Sequence, residues 1–466
     1  METRWEKDSL GEKEVPRKAY YGIQTSRALE NFSISGLKPH PRFVEATVLI
    51  KKASAEANTA LGMLEPDIGK AVIQAANEVL EGRLREQFVI DVFQAGAGTS
   101  HNMNANEVLA NRAIEILGGT RGNYMTVHPN DHVNMGQSTN DVFPTAMRLA
   151  SLFLLQELLP AVESLGKAFR KKSKEFSRIL KSGRTHLQDA VPLSLGQEFG
   201  AYATTLRNSL RGIQASSEPL KELGIGGNAV GTGLNTPPQY RQNVTDRLKK
   251  YTRLDLFETK DLFAATQSMA PFVRLSGELK GLALELIRIA NDLRLLSSGP
   301  RTGLAEIELP AVQPGSSMMP GKVNPVMAEA MNMVAFQVIG NDLTISLASQ
   351  AGQLELNVMM PVINYNLLQS LQILTNVLTT FQKRCVEGIK ANAEKCRDYL
   401  ENSLGLATVL NPVIGYEAAA RVAKQAHTEG KSLREVILKE GLLRPEELER
   451  ILSPASWVGP EIEEDT

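Results

Sequence analysis

The stretch LSGELKGLALELIRIANDLRLL, Leu275 to Leu296, decides the architecture. Its Leu275, Leu279, Leu282, Leu286, Ile289, Leu293 and Leu296 follow one another at spacings of four and three, the seam of a packed α-helix rather than the alternation of a strand. Leu284, Ile287 and Ala290 lie beside that seam and widen the apolar sector, so the helix needs neighbours on more than one side. Burial is worth ~1.5–3 kcal/mol for each such side chain, a gain that only a bundle supplies.

Two further seams extend the pattern. Leu367, Leu371, Leu374, Leu378 and Phe381 repeat the same spacing, and a less regular run passes through Leu152, Leu155, Leu159, Val162, Leu165 and Phe169. Strand-like alternation is short and falls mostly before residue 140, so the chain reads as mainly α. The expected organisation is an N-terminal domain over residues 1–139, an elongated central helical bundle over 140–394, and a small C-terminal helical domain over 395–466. In the last of these, Ser432 and Glu435 have the spacing of a capping box, and the acidic run Glu461 to Thr466 is expected to fray.

Composition narrows the function. The 466 residues carry 51 Lys plus Arg against 52 Asp plus Glu, a net charge of −1, which gives no electrostatic reason to expect nucleic acid or a membrane as partner. At 42% hydrophobic and 22% charged, the chain resembles an ordinary globular protein. Cys385 and Cys396 are the two cysteines, too few for a disulfide framework or a Cys-rich metal site, so a reducing, cytoplasmic setting is expected. The charged start Met1-Glu2-Thr3-Arg4-Trp5-Glu6-Lys7-Asp8 lacks the apolar core of a secretory signal, and no uninterrupted apolar run approaches the ~18 residues of a membrane span.

Several near-motifs carry little. Gly224-Ile225-Gly226-Gly227-Asn228-Ala229 fits a permissive dinucleotide fingerprint, but the preceding segment is polar and an interhelical turn is expected. Gly315 to Lys322 has one residue too many between its glycines for a phosphate loop, and Val323 stands where Ser or Thr is required. His128 and His132 are four apart, but Pro129 and Asn130 lie between them, so a helical metal pair is not expected.

Four other loops concentrate hydroxyl, amide and basic groups: Thr99 and Ser100; Ser138, Thr139 and Asn140; Thr185 and His186; Ser316, Ser317, Lys322 and Asn324. Singly, each set is explained by helix caps and turns. Together they would form a receptor for a small anion with several oxygens. From side-chain chemistry alone His186 is the first choice of general base, because its unperturbed pKa lies nearest neutrality.

The run Gly315-Ser316-Ser317-Met318-Met319-Pro320-Gly321-Lys322-Val323-Asn324-Pro325 resembles the signature loop of the fumarase and aspartase superfamily. Supporting blocks occur in the family order: Ala97 to Asn104 with Asn106-Glu107-Val108, Gln137 to Asp141, Gly183 to Ala190, and Ala229 to Asn235. The resemblance covers nearly the whole chain. It implies a homotetramer with a long helical core, and active sites built from loops of three subunits.

The chemistry it implies is reversible β-elimination from a succinyl-type substrate, releasing fumarate with no organic cofactor and no metal. Removing a weakly acidic C–H proton throws charge onto the adjacent carboxylate, so donors aimed at that aci-carboxylate carry the catalysis. By resemblance Ser316 is the base, acting as an alkoxide in a loop that closes over substrate. Ser317, Lys322 and Asn324 bind substrate with Thr99, Ser138, Thr139 and Asn140, Thr185 and His186 complete the pocket, and Glu329 orients the histidine. The resemblance thus moves the base from His186 to Ser316. No Ala-Ser-Gly tripeptide occurs, which argues against an ammonia-lyase with a self-made electrophilic ring.

The leaving group rests on local differences. Gly98-Thr99-Ser100, Ser138-Thr139-Asn140, Leu293 to Gly299 and Tyr20-Tyr21-Gly22 are similar to aspartases and point to L-aspartate. His128 to Asp131, Asp141 to Pro144 and Lys424 to His427 are closer to fumarases, which act on L-malate. Thr139 should touch the amino group and outweighs remote turns, so aspartate deamination is the expected activity and fumarate hydration the alternative. A helical oligomer without chemistry is the third reading. Ser316, Lys322, Asn324, Thr185 and His186, all present together, argue against it.

Overall fold

A computed structural model describes residues 2–452; the acidic run Glu461 to Thr466 lies outside the described residues. The chain opens with an antiparallel hairpin of β1 (Thr3–Asp8) and β2 (Gly11–Pro16). Helices α1 (Ile23–Asn31), α2 (Pro41–Ala60), α3 (Pro66–Leu80) and α4 (Thr99–Ile116) follow. Pro41 takes the first position of α2, where no N–H is needed, and the His40 ring accepts the Arg42 N–H. Next come the long α5 (Thr139–Glu175), a hairpin of β3 (Leu180–Thr185) and β4 (Gln188–Ser194), and α6 (Leu195–Ser217).

The short parallel pair β5 (Glu222–Leu223) and β6 (Phe257–Glu258) flanks α7 (Tyr240–Thr252). Helix α8 (Leu262–Gln267) precedes α9 (Ala270–Leu296). After β7 (Ile307–Glu308), α10 (Val326–Gln350) and α11 (Met360–Arg384) complete the long helices. Strand β8 (Lys390–Ala391) pairs with β7 and leads to α12 (Ala393–Asn402), α13 (Ala407–Ile414), α14 (Tyr416–Glu429), α15 (Leu433–Lys439) and α16 (Pro445–Ile451). The capping box at Ser432 and Glu435 is present at the start of α15.

The seams pack as their spacing requires. Every residue of the α9 seam from Leu275 to Leu296 is buried, as is the α11 seam from Leu367 to Phe381. In α5 the seam drifts by one position: Leu158 is buried and Leu159 only half so, because 3.6 residues per turn do not keep a strict heptad register. An 18-residue window of α5 is apolar enough by length and composition to cross a bilayer, but 83% of it is buried inside the protein, as a core helix demands. The β3–β4 hairpin lies well beyond residue 140, where strands were not expected.

The chain divides into two compact units. One contains the residues up to Leu159, Gly212–Gly281 and Phe336–Leu374. Its core joins α2, α3 and α4 through Val48, Val72, Ala75, Val108, Leu109 and Ile114. The other contains Pro160–Arg211, Leu282–Ala335 and the chain from Thr375 onward. Within it, Phe169, Phe176, Phe199 and Tyr202 form a ring cluster with centroids 5.2–6.0 Å apart, and Leu410, Val422, Val436, Ile437 and Leu448 knit the short C-terminal helices.

Candidate active site

Helix α4 begins abruptly at Thr99 because Ala97 and Gly98 both take left-handed φ, at 60° and 85°. Gly98 packs so closely on the Phe143 ring that a Cβ there would sit 2.0 Å from it. Phe143 is in the second turn of α5, so this contact sets the start of α4 against the start of α5. Thr99 is exposed at the first position of α4, with its hydroxyl facing Gly96 O at 3.4 Å. The two helix N-termini with adjoining hydroxyls suit carboxylate oxygens.

The α5 start is held from beneath. Ser138 Oγ accepts the Asn140 N–H at 3.2 Å, the Asp141 carboxylate accepts the Ser138 N–H at 2.9 Å, and Asn140 Nδ2 donates to Ala229 O at 2.8 Å. The other Asp141 oxygen accepts the Gly226 and Asn228 N–H groups, both at 2.9 Å. The Gly-rich stretch therefore forms a wall of the Ser138–Asn140 turn, a role its reading as a simple interhelical turn missed. Burial pushes the Asp141 carboxyl up to about 6, against these three backbone donors and the Lys51 ammonium.

In the other unit, β3 and β4 carry Thr185 and His186 at an exposed tip. Thr185 pairs with Gln188, leaving His186 and Leu187 as a two-residue turn with φ of 55° and 58°. Such a turn needs left-handed backbone at both positions, which Asn-Gly provides cheaply and His-Leu does not. Strain at a residue offered for chemistry is a mark of functional sites. The strand base is anchored by charge: Lys181 lies 2.8 Å from both Glu198 and Glu306, and Arg184 lies 2.9 Å from the fully buried Glu306. Burial pulls Lys181 down, but the two carboxylates outweigh it and hold the ammonium above its usual value.

The signature loop closes on itself. Gly315 N–H donates to Lys322 O at 2.8 Å, and Asn324 Nδ2 donates to Gly315 O at 2.7 Å. Inside this ring Ser316 Oγ accepts the N–H groups of Met318 and Met319 at 3.1 and 2.9 Å. Both donors would favour negative charge developing on that oxygen. Ser317 and Lys322 are exposed, and Glu329 is in the first turn of α10. Among the described residues no hydrogen bond within the chain joins His186 to Glu329.

Two polar sets missing from the expected site support it: Lys51 with Asn134, Gln137 and Asp141, and Lys181 with Glu198 and Glu306. A signal for the first was present, since Thr47, Lys51, Ser54 and Asn58 repeat at spacings of four, three and four along α2, all buried. His128 and His132 face their own backbone, for each Nδ1 accepts a main-chain N–H, in a turn that forms a π-helix over Pro129–Val133. Cys385 and Cys396 are free and buried, their thiols pushed up to about 12 by burial.

Long helices that offer hydroxyls and amides at their N-termini in one unit, and in the other a glycine loop bearing a serine under two backbone donors, are the elements of a helical lyase. The chain belongs to the fumarase and aspartase superfamily: a family described as Lyase matches residues 11–340, and one described as Fumarase C C-terminus matches residues 406–459. Curated relatives include the aspartate ammonia-lyase of a Bacillus species, 51% identical over 99% of this chain and 98% of its own length. That of Escherichia coli K12 is 48% identical over 98% and 96%. Among solved structures, a fumarate lyase:delta crystallin from Brucella melitensis, determined bound to cobalt, is 50% identical with a TM-score of 0.96 over 98% of this chain and all of that one. A class II fumarase from Schistosoma mansoni is 40% identical with a TM-score of 0.93, covering 97% of this chain and 98% of that one.

Proposed function

We infer that the protein is an aspartate ammonia-lyase, a carbon–nitrogen lyase that reversibly converts L-aspartate to fumarate and ammonia. The observation that carries this reading is the end-to-end identity with aspartate ammonia-lyases, about half of all positions over nearly the whole chain. The Ser138-Thr139-Asn140 block, which local sequence ties to the amino group, points the same way. Fumarate hydration is not favoured.

In this reading Thr99, Ser138, Thr139, Asn140, Ser317, Lys322 and Asn324 hold the two carboxylates and the ammonium of aspartate. Ser316 Oγ takes the proton from the carbon next to the carboxylate. The C–H electron pair moves into that carboxylate, giving an aci-carboxylate that positive and N–H groups stabilise. The pair then returns to form the double bond as the C–N bond breaks, and its electrons leave with nitrogen as ammonia. The Met318 and Met319 donors support the assignment of Ser316, because they favour the anionic base. Thr185 and His186 complete the pocket, with Glu329 orienting His186. Closure of the loop over substrate would exclude water and strengthen each contact.

The same reading makes the protein a cytoplasmic homotetramer whose sites draw on three subunits, with no nucleic-acid or membrane partner. It keeps the division into an N-terminal domain (1–139), a central bundle (140–394) and a C-terminal domain (395–466). Support for assembly comes from α10, where Met333, Phe336, Leu343 and Leu347 are each more than half exposed. With Gly340 they repeat at three and four, an apolar seam left uncovered by the chain's own residues.

The deciding experiment is a paired assay of fumarate absorbance with L-aspartate and with L-malate. Rapid fumarate release from L-aspartate and far slower release from L-malate are expected, and the reverse order would establish the hydratase. For assembly, Leu343→Glu should shift the protein from tetramer to smaller species in light scattering, with loss of turnover. A native monomer that remains fully active would refute the shared site.

A further inference from the structure

We infer that Lys51 is a positioning residue for the turn that carries Ser138, Thr139 and Asn140, acting from beneath it and without touching substrate. This rests on the reading of those three residues as substrate groups. Lys51 is on α2 with no exposed surface. Its Nζ donates to Asn134 Oδ1 and Gln137 Oε1, both at 2.9 Å. Asn134 ties back to the same turn through Nδ2 to Gln137 O at 3.1 Å, and its Oδ1 also accepts the amides of Asn102 and Asn106 from α4. One ammonium thus fixes the residue immediately before Ser138 and links it to the helix that begins at Thr99.

The other members of the polar seam of α2 bond to neighbouring segments rather than to Gln137 or the Ser138–Asn140 turn. Thr47 Oγ1 meets the His101 ring at 3.0 Å, Ser54 Oγ accepts the Tyr240 hydroxyl at 2.8 Å, and Asn58 Nδ2 donates to Met135 O at 2.8 Å. Across the turn Asp141 binds Ser138 N–H, so the substrate residues stand between a buried cation and a buried anion in electrostatic contact. Stability alone does not explain Lys51. Burial draws the ammonium down to about 7, the sign of a costly environment, and a whole buried ion pair replaced by apolar side chains of similar volume is often neutral or stabilising, whereas removing the cation alone strands Asp141. What an apolar residue cannot do is donate to Asn134 and Gln137 together and so fix the direction of the turn.

The test uses the full-length enzyme and Lys51→Met, a change of similar length, with Ser54→Ala as a control on the same seam. Lys51→Met is expected to assemble like the parent and raise KM for L-aspartate at least ~10-fold, the scale of a small misplacement of binding groups. Ser54→Ala should leave KM unchanged. Should Lys51→Met fail to assemble, Gln137→Met removes the same contact from the turn side and should give the same rise. An unchanged KM in whichever variant assembles overturns the inference, as does an equal KM rise in Ser54→Ala. A parent enzyme that does not release fumarate from L-aspartate would instead overturn the functional reading, so the two failures are distinct.

Discussion

Replacing Gly98 by alanine tests how the two helix starts proposed to bind substrate are held together. A Cβ at this position would lie 2.0 Å from two carbons of the Phe143 ring, where ordinary contact begins near 3.4 Å, so ring or loop must yield by about 1.4 Å. Overpacking of that kind costs ~1–3 kcal/mol. The backbone adds to it, because φ of 85° is left-handed and costs a residue with a Cβ ~1–2 kcal/mol. Gly98→Ala should therefore destabilise the unit holding α4 by ~2–5 kcal/mol. Thr99 follows directly in the chain, so KM for L-aspartate should rise as well. Gly36→Ala is the control: its φ is 73°, but nothing lies within 4 Å of the new Cβ, leaving the backbone cost alone. The assay is a urea midpoint for each variant beside steady-state deamination. If Gly98→Ala and Gly36→Ala match in both midpoint and KM, the steric clamp on Phe143 is not what positions Thr99.

Ser316→Ala should lower kcat by at least ~10²-fold with the assembly intact, the scale of losing a general base; near-normal turnover would remove Ser316 from that role. His101 should make the unit acid-sensitive. Its Nδ1 is buried with no hydrogen-bond partner among the described residues, and burial, then the Lys51 charge, holds the ring down to about 3, while an unfolded histidine titrates near 6.5. The unfolded chain therefore binds the extra proton between those values, and up to about 5 kcal/mol of stability is lost as pH falls from about 6.5 to 3. His101→Gln should flatten that fall in a pH series of melting temperatures, and an equally steep fall would exonerate the ring. Leu187→Gly should relieve the left-handed φ at the hairpin tip and stabilise by about 0.5–1 kcal/mol after glycine's own entropy cost, with calorimetry as the check.

The long helices were legible because burial writes itself directly into the apolar spacing, as at Leu275 to Leu296. The β3–β4 hairpin was not, because its tip is His186-Leu187 rather than a glycine or asparagine pair, and a turn paid for by strain has no compositional mark. The four loops stood out by their hydroxyls and amides, yet the groups that hold them did not. Lys51, with Thr47, Ser54 and Asn58 along the same side of α2, looks like part of a solvated helix face until its burial is known, since polarity alone does not tell a wet stripe from a dry one. Asp141 and the Gly226–Asn228 backbone meet from positions far apart in the chain, and no local pattern announces such a pairing.

The ring closed by Gly315, Lys322 and Asn324 has a dynamic consequence. In the proposed closure over substrate, a segment stitched at its neck would swing as one piece, so the Ser316 oxygen and the Lys322 ammonium would arrive over a bound diacid in the same stroke. Proton removal would then be unavailable until the cation that tolerates its product is already in place, a built-in order of events that a looser strand could not enforce.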